Sequence, residues 1–394
     1  MLFICYTTLY LITLVTAQIS YICPKYGFLN FKVDVDFGTP PQRLALALDS
    51  TDAYSYVQSS TCIVNCSNIV TFDSSKSSSS LLADVEKIPD RIILLGNDLS
   101  GPIGSDTIGL NGLQFKGFEF QQVNNFIGRN GVSGSLGLGL SIRPGNKNFL
   151  QLTVSSGKIA KMMYGYSIDE SGNFSILDLG YFNNSLFTNQ LQFVKLTNIP
   201  LTRLVDVVNA TRNDTVLTPF GINIESISLG TNVIPIPKQI AFIHTDLTVS
   251  RFPVTLMNTI AEKLGAKRVN NLYEIKCDVT RQLPNITIDF NGFKATFNSK
   301  EYMFKHVNNA GCFLAFTSYD QPLFKDSLIL GLGLLRKYYL AFDHAQQQIG
   351  FANAVTSTKT EVVVTSTPAS NNQLPSHILH ILPFISSLLL FLIF

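Results

Sequence analysis

Charged side chains are scarce in this sequence. Asp, Glu, Lys and Arg make up 14% of its 394 residues against 46% hydrophobic residues, which excludes intrinsic disorder because enough apolar surface is present to build a core. An excess of one charge is also missing, since 29 basic and 27 acidic side chains give +2, and no nucleic-acid partner is expected. The sequence is instead rich in Ser, Thr, Asn and Phe, with 29 Phe residues. This composition is typical of β-rich secreted proteins. The composition favours an all-β fold, and the length favours two domains.

The first 17 residues contain no Lys or Arg. Their apolar stretch ends in the small-residue sequence VTA at 15–17, which is typical of a signal-peptidase site. The sequence therefore predicts a signal peptide over 1–17, with cleavage after Ala17 and entry into the secretory pathway.

The carboxyl end has no charged tail after its last apolar run. A polar stretch over 356–372 leads into a hydrophobic segment over 373–394, and this order is typical of a glycosylphosphatidylinositol (GPI) attachment signal. The alternative is a single transmembrane helix, because the 18 residues from His377 come close to the roughly 20 needed to span a bilayer. Both interpretations place the globular part in the secretory lumen or on the extracellular face of the plasma membrane.

Sequons and cysteines agree with that location. Six Asn-x-Ser/Thr sequences predict N-glycosylation at Asn65, Asn173, Asn183, Asn209, Asn213 and Asn285. Cys5 is removed with the predicted signal peptide, and the remaining cysteines suggest two disulfides, Cys62–Cys66 and Cys277–Cys312. Cys23 is then left over, and three possibilities stay open for it: a free thiol, a bond to another chain, or a different connectivity.

An internal repeat indicates a duplicated architecture. Apolar runs end at Asp49 and again at His244, and each is followed by a Leu-Gly-Leu-Gly-Leu sequence, after 88 residues at Gly137 and after 87 at Gly331. Glycine inside these runs predicts strands that pack closely on neighbouring backbone. Long helical periodicity is scarce, and the main helix is predicted over 254–264, with a short one after Gly333.

Several motifs together resemble those of the pepsin-like aspartic peptidases. FGTPPQ at 37–42, followed by an apolar strand ending at Asp49, is similar to the entry into that family's first catalytic loop. The segment FDSSKSSS at 72–79 is similar to the loop after its first disulfide, and 328–343 resembles its carboxy-terminal signature. The likeness covers about 26–353.

The resemblance implies a bilobal all-β fold with a long cleft between two pseudo-symmetric lobes, here 18–190 and 191–355. In the family, one aspartate from each lobe shares a proton with the other and holds a water that attacks a peptide bond. The expected ligand is a peptide or protein bound in the cleft by a monomer. No metal or cofactor is expected.

Both loops depart from the family's Asp-Thr-Gly pattern. The first reads Asp49-Ser50-Thr51-Asp52, and the second reads His244-Thr245-Asp246-Leu247. By the resemblance, Ser50 and Thr245 keep the hydroxyls that join the two loops, whereas Thr51 and Asp246 replace the loop glycines. Asp52 and Leu247 replace outer hydroxyls.

The catalytic pair becomes Asp49 with His244, and an imidazole beside a carboxylate tends to form an ion pair. Asp49 is either a catalytic group or a carboxylate that holds its own turn, and His244 is either its partner or a neutral histidine at the lobe interface. Asp246 is a further candidate for a second carboxylate.

Two further departures agree with a loss of catalysis. The segment at 92–97 lacks the tyrosine of the family's flap, and the distance from Ala17 to the first strand is short for an inhibitory pro-segment. The leading hypothesis is therefore a surface-anchored pseudopeptidase that binds a peptide or protein. The alternatives are an aspartic endopeptidase with an atypical Asp49/His244 pair, and a structural coat or adhesion component.

Overall fold

The computed structural model describes residues 19–27, 29–63, 66, 69–82, 101–110, 112–124, 131–139, 148–169, 172–200, 215–217, 221–277, 283–306, 311–320, 327–355 and 363–364. This part of the chain is mostly β-structure. The strands of its first half are β1 (Ile19–Gly27), β2 (Asn30–Phe37), β3 (Gln42–Asp49), β4 (Ser55–Gln58), β5 (Leu81–Leu82), β6 (Ile103–Leu110), β7 (Leu113–Val123), β8 (Gly134–Gly137), β9 (Met163–Ile168), β10 (Phe174–Leu179), β11 (Gln192–Lys195), β12 (Asn198–Pro200) and β13 (Thr215–Leu217).

The second half continues with shorter strands. They are β14 (Gly221–Ile224), β15 (Ser226–Leu229), β16 (Asn232–Ile234), β17 (Gln239–His244), β18 (Ser250–Pro253), β19 (Lys267–Val269), β20 (Leu272–Lys276), β21 (Ile286–Asp289), β22 (Lys294–Phe297), β23 (Met303–His306), β24 (Gly311–Leu314), β25 (Phe316–Tyr319), β26 (Ser327–Gly331), β27 (Tyr338–Asp343), β28 (Gln348–Asn353) and β29 (Val363–Val364). The helices are α1 (Phe149–Ser155), α2 (Val254–Leu264), α3 (Ser299–Tyr302) and α4 (Leu332–Leu335).

One long sheet joins the two halves. Its order is β11-β28-β27-β9-β10-β1-β2-β3-β8-β4-β7-β6-β5, so β27 and β28, from the end of the chain, pair with strands that precede residue 200. A five-stranded sheet, β14-β17-β26-β18-β25, is built around the second loop. The all-β, bilobal fold expected from the sequence is confirmed, and strands from both sides of the predicted boundary at 190/191 share the long sheet.

The sequence repeat corresponds to a repeated strand arrangement. β3 pairs in parallel with β8 so that Asp49 lies opposite Gly137, and β17 pairs in parallel with β26 so that His244 lies opposite Gly331. In each half a serine hydroxyl accepts the N–H of that glycine at 3.0 Å, Ser55 for Gly137 and Ser250 for Gly331. The repeat therefore places the two loops in equivalent positions.

The glycines of the repeat are required by close backbone contact. A Cβ built on Gly137 would lie 2.6 Å from the carbonyl oxygen of Tyr54, and one built on Gly331 would lie 2.2 Å from that of Leu247. These distances are far inside van der Waals contact, so the strand behind each loop approaches its neighbour only because no side chain intervenes.

We expect Gly331→Ala to destabilise the protein by at least about 2 kcal/mol, because its methyl group must displace the backbone at Leu247. Gly311→Ala is the matched control, since no described atom lies within 4 Å of its added Cβ. Chemical denaturation of both variants measures the difference. Equal unfolding free energies for Gly331→Ala and the wild type would contradict the close packing.

The predicted helix is present as α2. Leu256, Met257, Ile260 and Leu264 are buried along one face, and Gly265 ends the helix at φ 71° with its N–H directed to the last carbonyls. A residue other than glycine is disfavoured in this left-handed conformation, which explains why the helix stops there.

Both predicted disulfides are present, Cys62–Cys66 and Cys277–Cys312. Cys23 is a free thiol that is fully buried on β1, and burial raises its pKa to about 12, with a smaller opposing effect from Ser175. Because the thiolate is the reactive form, burial and the raised pKa both disfavour reaction of Cys23 in the folded protein.

The predicted signal peptide, most of the predicted linker over 356–372, the hydrophobic tail and the segment at 92–97 lie outside the described residues. From the linker, β29 pairs in parallel with β23. No helix among the described residues is both long and apolar enough to cross a membrane.

Candidate functional site

The two loops of the repeat contact each other. Asp49 is the last residue of β3 and His244 is the last residue of β17. Each is followed by a short loop, and the two loops lie side by side. The structure thus brings together the residues predicted to form the catalytic pair, although 195 positions separate them.

Ser50 and Thr245 join the loops by reciprocal hydrogen bonds. The N–H of Ser50 donates to Thr245 Oγ1 and the N–H of Thr245 donates to Ser50 Oγ, both at 3.1 Å. Each hydroxyl then donates onward across the interface, Ser50 to the carbonyl of Ile243 at 2.7 Å and Thr245 to that of Leu48 at 2.8 Å. All four bonds are buried, so they hold the two loops in one relative position.

The Asp49 carboxylate is held by its own loop. Its Oδ1 accepts the N–H of Thr51 at 2.8 Å, the hydroxyl of Thr51 at 2.6 Å and the N–H of Asp52 at 3.2 Å. Thr51, at the position where the family has glycine, therefore adds a donor to the carboxylate as well as bulk to the turn. These three donors fix Asp49 Oδ1 within its own loop.

His244 faces Asp49 without a hydrogen bond. Its Nδ1 lies 3.9 Å from Asp49 Oδ1, and the same nitrogen accepts the N–H of Asp246 at 3.3 Å. His244 therefore lies beside Asp49 at a distance longer than a hydrogen bond, with its Nδ1 directed to the N–H of its own loop.

Asp246 contacts the opposite half of the protein through Asn30. The Asn30 side-chain N–H donates to the carbonyl of Asp246 at 3.1 Å and to its Oδ1 at 3.4 Å, and Thr248 donates its hydroxyl to Asn30 Oδ1 at 2.8 Å. No sequence motif singles out Asn30 or Thr248. Asn30 lies at the first position of β2 and carries no motif, so only the folded chain reveals its contact across 216 positions.

The outer loop residues also have structural contacts. Asp52 Oδ1 accepts the N–H of Tyr54 at 2.9 Å, and the carbonyl of Leu247 accepts the N–H of Leu332 at 2.7 Å. Asp52 therefore shapes the turn after Asp49, and Leu247 connects the second loop to α4.

Tyr164 and His344 lie next to the Asp49 loop. Both are buried, with ring centroids 5.9 Å apart. Burial raises the pKa of Tyr164 well above its ordinary value, and the nearby Asp49 charge adds to that effect. Burial lowers the pKa of His344 to about 3, and the Leu138 backbone opposes this only in part. The surroundings are thus strongly desolvated.

Three of the six predicted glycosylation sites are described. Asn173 and Asn285 are exposed, whereas Asn183 is half-buried and its Oδ1 accepts hydrogen bonds from the N–H and hydroxyl of Ser185. Asn65, Asn209 and Asn213 lie outside the described residues. In the described part of the chain, no cluster of three or more His, Cys, Asp or Glu side chains could hold a metal ion.

The site geometry agrees with comparisons to known proteins. A family profile described as "Eukaryotic aspartyl protease" matches residues 30–354, which include both loops. The chain is 25% identical over 346 residues to Vacuolar protease A of Aspergillus fumigatus, covering 83% of this chain and 80% of the relative.

Two animal proteins have about the same sequence identity to the chain. They are Cathepsin E-A of Xenopus laevis, 26% identical over 344 residues (84% and 81% covered), and Pregnancy-associated glycoprotein of Equus caballus, 26% identical over 333 residues (82% and 80% covered). The family profile covers most of the chain, and the paired loops with the parallel strands behind them agree with it. The chain therefore belongs to the eukaryotic aspartyl protease family.

Proposed function

We propose that the chain is a catalytically degenerate member of this family, a pseudopeptidase whose cleft binds a peptide or protein without cleaving it. The observation that carries the proposal is the state of the paired loops. Asp49 Oδ1 is occupied by three donors of its own loop, and its counterpart is His244, whose Nδ1 accepts the N–H of Asp246.

Peptide hydrolysis in this family needs two carboxylates that share one proton and hold a water between them. An imidazole whose Nδ1 accepts the N–H of Asp246 and lies 3.9 Å from Asp49 Oδ1 does not reproduce the proton shared by two facing carboxylates. Asp246 Oδ1 accepts the Asn30 side-chain N–H at 3.4 Å, and we infer that this carboxylate is directed to Asn30 and does not act as the second catalytic carboxylate. The general acid and base of the reaction are therefore incomplete.

The binding function follows from what is kept. The Ser50–Thr245 bonds and the repeated parallel strands maintain the walls between which a family member binds its substrate. Removing these buried hydrogen bonds would destabilise the protein. They are kept although the catalytic positions are altered, and this favours a fold that is retained to bind a partner. The partner we propose is an extended peptide or protein segment bound by a monomer.

The second candidate function is peptide hydrolysis by an atypical Asp49/His244 pair. It is supported by relatives that carry the names Vacuolar protease A and Cathepsin E-A.

Binding without cleavage is tested with the full-length protein and immobilised pepstatin, with denatured protein as competitor and the eluate checked for new peptides. We expect retention that denatured protein reverses, and no cleavage products. Asp49→Ala, which removes the carboxylate but leaves the Ser50–Thr245 bonds, serves as the comparison. Products that disappear in Asp49→Ala would instead establish the peptidase, and absence of retention would contradict a binding cleft.

The proposed location is the cell surface, after removal of 1–17 and attachment of a GPI anchor within 356–372. The two disulfides and the exposed Asn173 and Asn285 support an oxidising, glycosylating compartment. We expect phosphatidylinositol-specific phospholipase C to release the protein from intact cells. Retention on the cells after this treatment would favour the transmembrane alternative.

A further inference from the structure

A second concave site lies away from the paired loops. It is a groove of about 830 Å³ between the end of the long sheet, at β11 and β28, and the hairpin formed by β21 and β22. Sites for small ligands typically range from about 300 to 1,000 Å³, so the groove is large enough for one.

The lining of the groove is polar and balanced in charge. Four carboxamides and two carboxylates contribute to it: Asn189, Gln192, Asn291, Asn353, Glu225 and Asp289. The two lysines, Lys294 and Lys337, each form an ion pair, with Asp289 and Glu301, so neither ammonium is left to select an anionic ligand. Its chemistry suits a neutral ligand that both donates and accepts many hydrogen bonds.

Several of these side chains are fixed before any ligand binds. Asn189 Oδ1 accepts the N–H of Asn353 at 2.8 Å, which orients the carboxamide while its Nδ2 keeps two donors. Asp289 Oδ1 accepts the N–H of Asn291 at 3.1 Å, and Asp289 Oδ2 lies 3.3 Å from the ammonium of Lys294. Such preorganisation lowers the entropy lost on binding.

The floor of the groove is a layer of packed aromatic rings. Phe293 stacks on Phe351 with ring centroids 4.7 Å apart, and Tyr338 contacts Phe293 edge-on at 5.3 Å. Lys337 is fixed over this layer by an ion pair with Glu301 at 2.8 Å. Phe293 and Tyr338 are both less than a tenth exposed, so little apolar surface is available for the side chains of a peptide.

We propose that this groove is a carbohydrate-binding site, which recognises the hydroxyl groups of an oligosaccharide through its carboxamides and carboxylates. Vicinal hydroxyls both donate and accept, as the lining requires, and they carry no charge. The sugar can belong to a glycoprotein partner or to an N-glycan of this chain, whose predicted site Asn183 lies six positions before Asn189. The proposal is independent of the paired loops.

The test uses full-length protein from a secretory host on an array of mannose-, galactose- and N-acetylglucosamine-terminated oligosaccharides, before and after its own N-glycans are removed. The key variant is Gln192→Ala/Asn353→Ala, which shortens two exposed side chains of the groove. The control is Asn232→Ala, an exposed asparagine on β16 outside it.

We expect the wild type and Asn232→Ala to bind at least one class of oligosaccharide with equal affinity. We expect the double variant to bind that class at least tenfold more weakly, with a thermal unfolding temperature equal to that of the wild type. Binding before deglycosylation indicates a foreign glycan, whereas binding only afterwards indicates that the chain's own glycan occupies the groove. No binding in either arm, or full binding by the double variant, would overturn the proposal.

Discussion

Acidification from pH 7 to pH 4.5 is expected to remove about 2.5 kcal/mol of stability through His344 alone. Burial lowers the pKa of this histidine to about 3, from an ordinary value of 6.5. Between these two values the unfolded chain binds a proton that the folded chain does not, so stability is full above about pH 6.5 and falls as the pH falls. The slope reaches about 1.4 kcal/mol per pH unit.

The variant His344→Gln isolates this effect, because glutamine is polar but does not titrate. Chemical denaturation at pH 7 and pH 4.5 measures the unfolding free energy of wild type and variant at each pH. We expect the variant to lose much less stability on acidification.

Asp178 acts in the opposite direction in both proteins. Burial raises the pKa of its carboxyl, with the Ser20 hydroxyl partly opposing the shift, so the folded chain gains stability as the pH falls through that raised value. The comparison between wild type and His344→Gln removes this shared contribution. Equal pH slopes would show that His344 is not held neutral by burial.

The second large effect is expected from Thr245→Val, which replaces the hydroxyl between the two loops by a methyl group of similar size. The substitution leaves the N–H of Ser50 and the carbonyl of Leu48 buried without their present partner. Each such group costs about 1–3 kcal/mol, so the expected loss is roughly 3–4 kcal/mol.

The matched control is Thr259→Val on α2, where the lost hydroxyl bond is a local one to the carbonyl of Thr255. We expect it to cost less than about 1 kcal/mol. A double-mutant cycle of Thr245→Val with Ser50→Ala measures the coupling between the loops, expected at about 1–3 kcal/mol. Additive losses would mean that the reciprocal bonds do not act as a unit.

Features carried by local pattern could be predicted from the sequence. The apolar spacing of 254–264 specifies α2 because its stripe recurs every three to four residues, and the glycines at Gly137 and Gly331 indicate close strand packing. The nearly equal intervals from Asp49 to Gly137 and from His244 to Gly331 identify the repeat, because both halves place the same parallel strand pair after a segment of similar length.

Features that depend on contacts between residues far apart in the sequence could not be predicted from it. Asn30 has no motif, yet it contacts Asp246 and Thr248 because β2 runs beside the second loop. The sequence suggests that Thr51 crowds its turn, whereas the structure adds that its hydroxyl donates to Asp49. The fate of Cys23 was open because burial on β1 is decided by the sheet and not by cysteine spacing.

We infer that Asp49 shapes its loop and does not activate a water. The most direct measurement is hydrolysis of a denatured protein by the full-length chain from pH 3 to pH 7.5, compared with Asp49→Asn made in the same way. We predict equal rates, at the background of the uncatalysed reaction, at every pH where the wild type remains folded. A wild-type rate above background that Asp49→Asn abolishes would contradict this claim and establish an active peptidase.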